Sequence, residues 1–334
     1  SDYGPSTCAR EMDGTYACWG WAFALGVGMG SPTVRGTATA EPMFGMAPSV
    51  GINWVRACKV NADHTISCMG ANDYGELGDG TRTASAIMVN VVGIDNAVEV
   101  ASTDHTCARL MDGHVKCWGR NSSGQLGDGS TTHMVCMDGT SNPDCSLAAV
   151  DVMTIDDAQQ LDAGSGYTCV LRSDHTVWCW GTNQVGQLGV GDLADHGVPT
   201  QVPGITDAMQ ISTGDNTACA VLASGQVKCW GYNHHGTVGD NATHMLCTSG
   251  SSMYDCSPSP VTVVEMGASG TTPITDATQV RVGESHACLL RATHEVFCWG
   301  ANDKRQTSQT SPMGTYPDVL LRGCRQQVTG HSVT

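Results

Sequence analysis

Six cysteine pairs, each separated by ten positions, recur along this chain: Cys8/Cys18, Cys58/Cys68, Cys107/Cys117, Cys169/Cys179, Cys219/Cys229 and Cys288/Cys298. The steps between their second members are 50, 49, 62, 50 and 69 residues. A period near 50 is the signature of an array of equivalent supersecondary units. Each of the two long steps contains a further pair nine positions apart, Cys136/Cys145 and Cys247/Cys256, so both read as the basic repeat plus an insertion. Of the 17 cysteines only Cys324 is left over.

One unit, residues 89–129, shows short alternating strands and Gly-rich turns with no helical period, which makes the chain all-β. A turn signal lies inside each ten-residue pair: Asp13-Gly14, Asp63-His64, Asp112-Gly113, Asp174-His175, Ser224-Gly225 and Thr293-His294. A spacing of ten centres the hairpin on a residue, which fits a three-residue loop, a type I turn closed by a left-handed residue. Gly adopts that conformation freely, and His is enriched there among the others. The cysteines then face each other across two antiparallel strands at about 4.5 Å between Cα atoms, within disulfide range. The spacing therefore predicts eight disulfides: Cys8–Cys18, Cys58–Cys68, Cys107–Cys117, Cys136–Cys145, Cys169–Cys179, Cys219–Cys229, Cys247–Cys256 and Cys288–Cys298. Zinc ligation would need two close pairs converging on one ion, which six identical hairpins do not provide. So many disulfides point to an oxidising compartment, extracellular or at the cell surface. The chain opens at Ser1 without a leader pattern, so an export signal would already have been removed.

Two submotifs recur in fixed order. C-W-G stands at Cys18-Trp19-Gly20, Cys117-Trp118-Gly119, Cys179-Trp180-Gly181, Cys229-Trp230-Gly231 and Cys298-Trp299-Gly300, and N-x-x-G-[QE]-L-G at Asn72–Gly78, Asn121–Gly127 and Asn183–Gly189. In these residues, and over nearly its whole length, the chain resembles the regulator-of-chromosome-condensation repeat family. The resemblance implies a β-propeller of four-stranded blades around a central axis. The repeated Trp and Gly residues read as framework and are not nominated as a site. Departures are Met69 in place of Trp, W-A-F-A-L-G after Gly20, N-H-H-G-T-V-G at 233–239 and N-D-K-R-Q-T-S at Asn302–Ser308.

Six hairpins, at 8–20, 58–70, 107–119, 169–181, 219–231 and 288–300, lead us to expect a single domain, 1–334, with six blades; seven is the alternative, common in the family. The segment 317–334 parallels the strand missing before the first hairpin, so the termini are expected to share one blade. In that alignment Cys324 takes the place of Ile94, Ile155, Ile205 and Ile274, which suits a buried, unpaired thiol; an intermolecular disulfide is the alternative.

A net charge of −16 repels phosphate backbones, which excludes nucleic acid as a partner class. No apolar run reaches the ~18 residues of a membrane helix. The patterns G-x-S-x-G, H-E-x-x-H, a phosphate loop and C-x-x-C-H are all missing, so no catalytic, metal or cofactor-binding residue is nominated, and no cofactor is expected. The Asp-Gly turns lack EF-hand spacing. The sequons at Asn121 and Asn241 are formal, and Asn121 belongs to the repeat motif.

The insertions, 132–146 and 243–257, are the same element used twice, and in the propeller both are expected on one face, two blades apart. Loops on a rigid scaffold concentrate recognition, and a local disulfide lowers the entropy cost of presenting them. The candidate partner-contact residues are Thr132, His133, Met134, Asp138, Asn142 and Asp144 in the first, and Thr243, His244, Met245, Ser251, Met253, Tyr254 and Asp255 in the second. A metal shared by His133 and His244 would require both loops to fold inward. The expected function is non-enzymatic binding of a protein or glycan outside the cell. The alternative is a structural subunit or decoration of a surface assembly or filament; a secreted enzyme or enzyme inhibitor ranks lower. Nucleotide exchange, known in nuclear members of the family, conflicts with the disulfides.

Overall fold

The computed structural model describes residues 7–21, 34–53, 55–136, 143–249, 252–267 and 270–301. The closing segment 317–334, Cys324 and the sixth Asn motif fall outside these residues. The described chain forms two compact units, one ending at Gly166 and the other beginning at Tyr167.

Each repeat is an antiparallel meander. In the first unit, Val50–Ile52, Arg56–Val60, Ile66–Gly70 and Ser85–Asn90 pair in sequence order. The next sheet repeats this plan with Ala97–Ser102, His105–Leu110, Val115–Arg120 and Asp144–Asp151. Its insertion adds Met134–Val135 as a fifth strand at the outer edge, and in the second unit Met245–Ser249 does the same beyond Ser252–Thr262. The insertions expected as loops are thus β-arms, because each return strand is long enough to pair on both sides. Among the described residues the first sheet has three strands, Thr7–Arg10, Tyr16–Trp21 and Val34–Ala40, with none before its hairpin. The last, Ala277–Val282, His286–Arg291 and Val296–Gly300, has none after it.

Hairpin geometry follows from the tip. In all six a backbone bond closes the three-residue loop, as in Asn61 N donating to Thr65 O at 2.8 Å and His64 N to Asn61 O at 3.0 Å. The last loop residue has positive φ throughout: Gly14, His64, Gly113, His175, Gly225 and His294. That puts the paired cysteines directly opposite one another, as at Cys8 and Cys18. Disulfides join Cys58–Cys68, Cys107–Cys117, Cys169–Cys179, Cys219–Cys229 and Cys288–Cys298 with Cα atoms 4.0–4.2 Å apart. Cys136–Cys145 and Cys247–Cys256 span 6.0 and 5.9 Å.

The tip also joins one repeat to the next. Its carbonyl accepts the N–H of an alanine that opens the following sheet, Ala97 from His64 and Ala208 from His175. At His64 and His175 the ring Nδ1 donates back to that alanine's carbonyl, at 3.0 Å and 2.9 Å. His175→Val is therefore expected to cost about 2 kcal/mol, from the left-handed backbone and the lost bond. His175→Gly, which keeps φ available, should cost about 1 kcal/mol or less. Urea unfolding of both variants checks the order.

The C-W-G motif is a bulge. Register shifts between the cysteine and the glycine, so the ladder to the following strand steps past Trp118, Trp180 and Trp230. The glycine's φ of about 100° turns the tryptophan towards the preceding repeat, with 100° at Gly119 and 103° at Gly231. There Trp118 Nε1 donates to Glu76 O at 2.9 Å, Trp230 to Gln187 O at 3.0 Å and Trp299 to Thr237 O at 2.8 Å. The final glycine of the Asn motif makes room: a Cβ on Gly189 would lie 2.6 Å from the Trp230 ring. Cores therefore alternate between repeats, as in the cluster of Val60, Ile66, Leu77, Ile94, Val100 and Trp118. The slot held by Ile94, Ile155, Ile205 and Ile274 is buried in each.

Candidate functional site

The arms grow from the Asn motif. Asn121 is buried, accepts the Leu126 N–H at Oδ1, and donates from Nδ2 to Ser130 O and to Asp144 Oδ2 at 2.6 Å. Asn72, Asn183 and Asn233 hold their loops in the same way, accepting from Leu77, Leu188 and Val238. Asn121 is thus committed to the framework. An aspartate follows and folds an Asx turn, Asp128 to Ser130 N and Asp240 to Ala242 N, which accounts for the Asp-Gly loops.

The second oxygen of that aspartate meets the arm. Asp128 Oδ2 lies 2.7 Å from His133 Nε2, while Asp144 Oδ2 lies 2.8 Å from His133 Nδ1 and Asp144 Oδ1 accepts the His133 N–H at 2.7 Å. Burial works against charge on the His133 ring, but hydrogen bonds to Asp144 and then Asp128 outweigh it and hold its pKa above the ordinary 6.5. In the second arm Asp240 Oδ2 lies 2.9 Å from His244 Nε2, and Asp255 Oδ1 accepts the His244 N–H at 2.7 Å. There Nδ1 has Asn233 Nδ2 at 3.4 Å and the Asp255 carboxylate only at 3.7 Å. The repeat of Cys169 and Cys179, which has no insertion of its own, builds a reduced version, with His196 between Asp192 and Thr200. Among the described residues no group of three or more His, Cys, Asp or Glu is arranged to hold a metal ion.

Of the nominated residues, His133, Asp144, His244 and Asp255 are half-buried and hold the base of an arm. Thr132, Met134, Thr243, Met245 and Met253 are exposed. Asp138, Asn142 and Ser251 lie outside the described residues. Two exposed neighbours were not nominated: Val135 at 60% and Leu246 at 60%, the same position in the two arms. In the second arm Cys247, Cys256 and Val185 form a small core lined by Leu193 and Tyr232. Beside it the rings of Tyr232, His234 and Tyr254 pack 5.1–5.9 Å apart. The unusual Asn233-His234-His235-Gly236 was the signal for that cluster.

A buried charge elsewhere serves the framework. Arg56 donates to Ala71 O, Thr103 O and Glu76 Oε1, and Glu76 Oε2 accepts the Tyr74 N–H. Burial, and then the Arg56 charge, push His105 down to about 3, so its ring is neutral.

The regulator of chromosome condensation (RCC1) repeat matches residues 174–221 in one form and 100–125, 158–187, 210–237 and 277–306 in a second. The ultraviolet-B receptor UVR8 of Arabidopsis thaliana is 24% identical over 201 residues, 58% of this chain and 43% of that protein, so the match spans less than half of its length. Among solved structures, yeast RCC1 (Prp20) bound to Kap60 superposes with a TM-score of 0.72 at 17% identity, covering 98% of this chain and 74% of that one. Human WBSCR16 gives 0.65 at 18%, covering 90% and 78%. At such identities these likenesses establish the fold, an all-β propeller.

Proposed function

Because the chain is an RCC1-like repeat protein, we propose that it is a binding protein, not a catalyst, that holds a protein partner through its disulfide-stapled arms. The observation that carries this reading is the repeated display of apolar side chains at one arm position, Met134-Val135 and Met245-Leu246, with Met253 beside the second pair. On a chain of net charge −16 such side chains are solvated at a cost unless they are covered. The arms are pre-ordered by a disulfide and by Asn–Asp–His bonding, so docking loses little entropy. A protein of this fold takes protein partners: yeast RCC1 (Prp20), solved bound to Kap60, also has binding properties to Gsp1p and histones. The disulfides support an oxidising compartment, extracellular or cell-surface.

The test is capture of partners from the native source by the oxidised protein, followed by affinity measurements. Leu246→Asp with Met253→Ser should weaken the captured protein about tenfold or more while leaving the melting temperature unchanged. Unchanged affinity would remove the arms from the reading. Retention of a glycan instead of a protein would favour the ring cluster of Tyr232, His234 and Tyr254 as the contact, and concentration-dependent self-association would favour an assembly subunit. Turnover on a hydrolase panel would overturn the non-catalytic assignment.

A further inference from the structure

We propose that His133 is a proton-operated clamp, and that the base of the first arm is held in place by the imidazolium and released when the ring becomes neutral. This holds whatever the arm binds.

The geometry demands two donors from one ring. Nε2 faces Asp128 Oδ2 at 2.7 Å and Nδ1 faces Asp144 Oδ2 at 2.8 Å. A neutral imidazole has one N–H, so one of these contacts would become a lone pair against a carboxylate oxygen at hydrogen-bond distance. The imidazolium satisfies both, with one positive charge between two negative ones. Neither carboxylate is free to turn away: Asp128 Oδ1 accepts Ser130 N–H, and Asp144 accepts Asn121 Nδ2 and the His133 N–H. The charged groups acting on the ring are Asp128 from the Asx turn and Asp144 from the return strand; Asn121, from the motif loop, is neutral. The three side chains are only 12–16% exposed, so water screens them weakly. The second arm is built differently. At His244, Nε2–H can donate to Asp240 while Nδ1 accepts from Asn233, so a neutral ring meets both hydrogen-bond partners, and the Asp255 carboxylate stands beyond hydrogen-bond reach of Nδ1 at 3.7 Å.

The signs agree with this. A ring whose pKa is raised on folding stabilises fully below its ordinary 6.5, and that contribution is lost as pH rises through the raised value. Asp144 is lowered: burial opposes its charge, but bonds from His133 and Asn121 more than compensate. Its contribution is present above the ordinary carboxylate range and lost as pH falls through the lowered value. The clamp is tightest in mildly acidic solution.

Hydrogen exchange of the amides of His133–Cys136 and Asp144–Ser146, corrected for intrinsic rates between pH 5.5 and 9, tests the clamp. Protection should fall about tenfold as the ring loses its proton, while amides 244–247 of the second arm keep theirs. Asp128→Asn supplies an amide that can donate to Nε2, so the step should vanish with the arm still protected at pH 9. A wild-type arm equally protected at both ends of the range overturns the proposal, and so does an undiminished step in Asp128→Asn. Should that variant fail to fold, NMR titration of the wild-type His133 ring decides: a neutral ring in a still-protected arm refutes the clamp, and concurrent loss of protection upholds it.

Discussion

Trp230→Ala is expected to destabilise the second unit by about 3–5 kcal/mol, the usual cost of emptying a large buried aromatic site. It should lower its melting temperature by about 10 °C. The indole is fully buried between repeats, fills the space left by Gly189, and donates to Gln187 O at 3.0 Å. Truncation removes apolar burial and leaves that carbonyl without its donor, deep in the cluster with Leu188, Val202 and Ile211. Trp178→Ala is the control. Trp178 is half-buried, its indole N–H donates to Thr176 just ahead of its own strand and its ring stacks under Arg172, so its loss should cost less than about 1 kcal/mol. Calorimetry on the two variants tests the distinction, and equal losses would mean that the bulge does not direct the first tryptophan to an inter-repeat role.

Full reduction should unfold the protein. In the chain-entropy treatment each crosslink closes a loop of about ten residues and contributes about 2.7 kcal/mol, and the seven given above for the described residues together contribute roughly 19 kcal/mol as an upper figure. A domain's whole stability is about 5–15 kcal/mol. Aromatic packing adds little beyond tryptophan, with 3 Phe and 7 Tyr in 334 residues, and leaves the rest of the cores to Val, Ile and Leu. Near-ultraviolet circular dichroism and thiol titration, with and without a phosphine reductant, read the result directly. Cooperative melting retained after all thiols are free would show that the cores suffice alone, and would remove the physical ground for an oxidising compartment.

Much of this was legible from residue spacing. A separation of ten placed the cysteines opposite one another, and the same count put His64, His175 and His294 at left-handed tips, because a three-residue loop admits few conformations. The arms were legible as elements but not as surfaces. A two-residue strand such as Met134–Val135 has no period from which an outward face can be read, so Val135 escaped notice, and with it Leu246, which holds the same place in the other arm. Asp144 and Asp255 looked like polar contacts available to a partner, yet they turn into the arm base, where Asn121 and Asn233 are within 2.6 Å. Asp128 looked like turn chemistry alone. Its second oxygen became meaningful only once the chain brought His133 back over it, five residues later.

The hairpin crosslinks have a mechanical consequence. A chain pulled from its ends lengthens by about 3.3–3.6 Å for each residue released, but a closed loop of ten residues contributes almost nothing. Each crosslinked hairpin therefore withholds roughly 35 Å of extension from a repeat that has come apart. A broken repeat stays short, and its neighbours keep the tether taut.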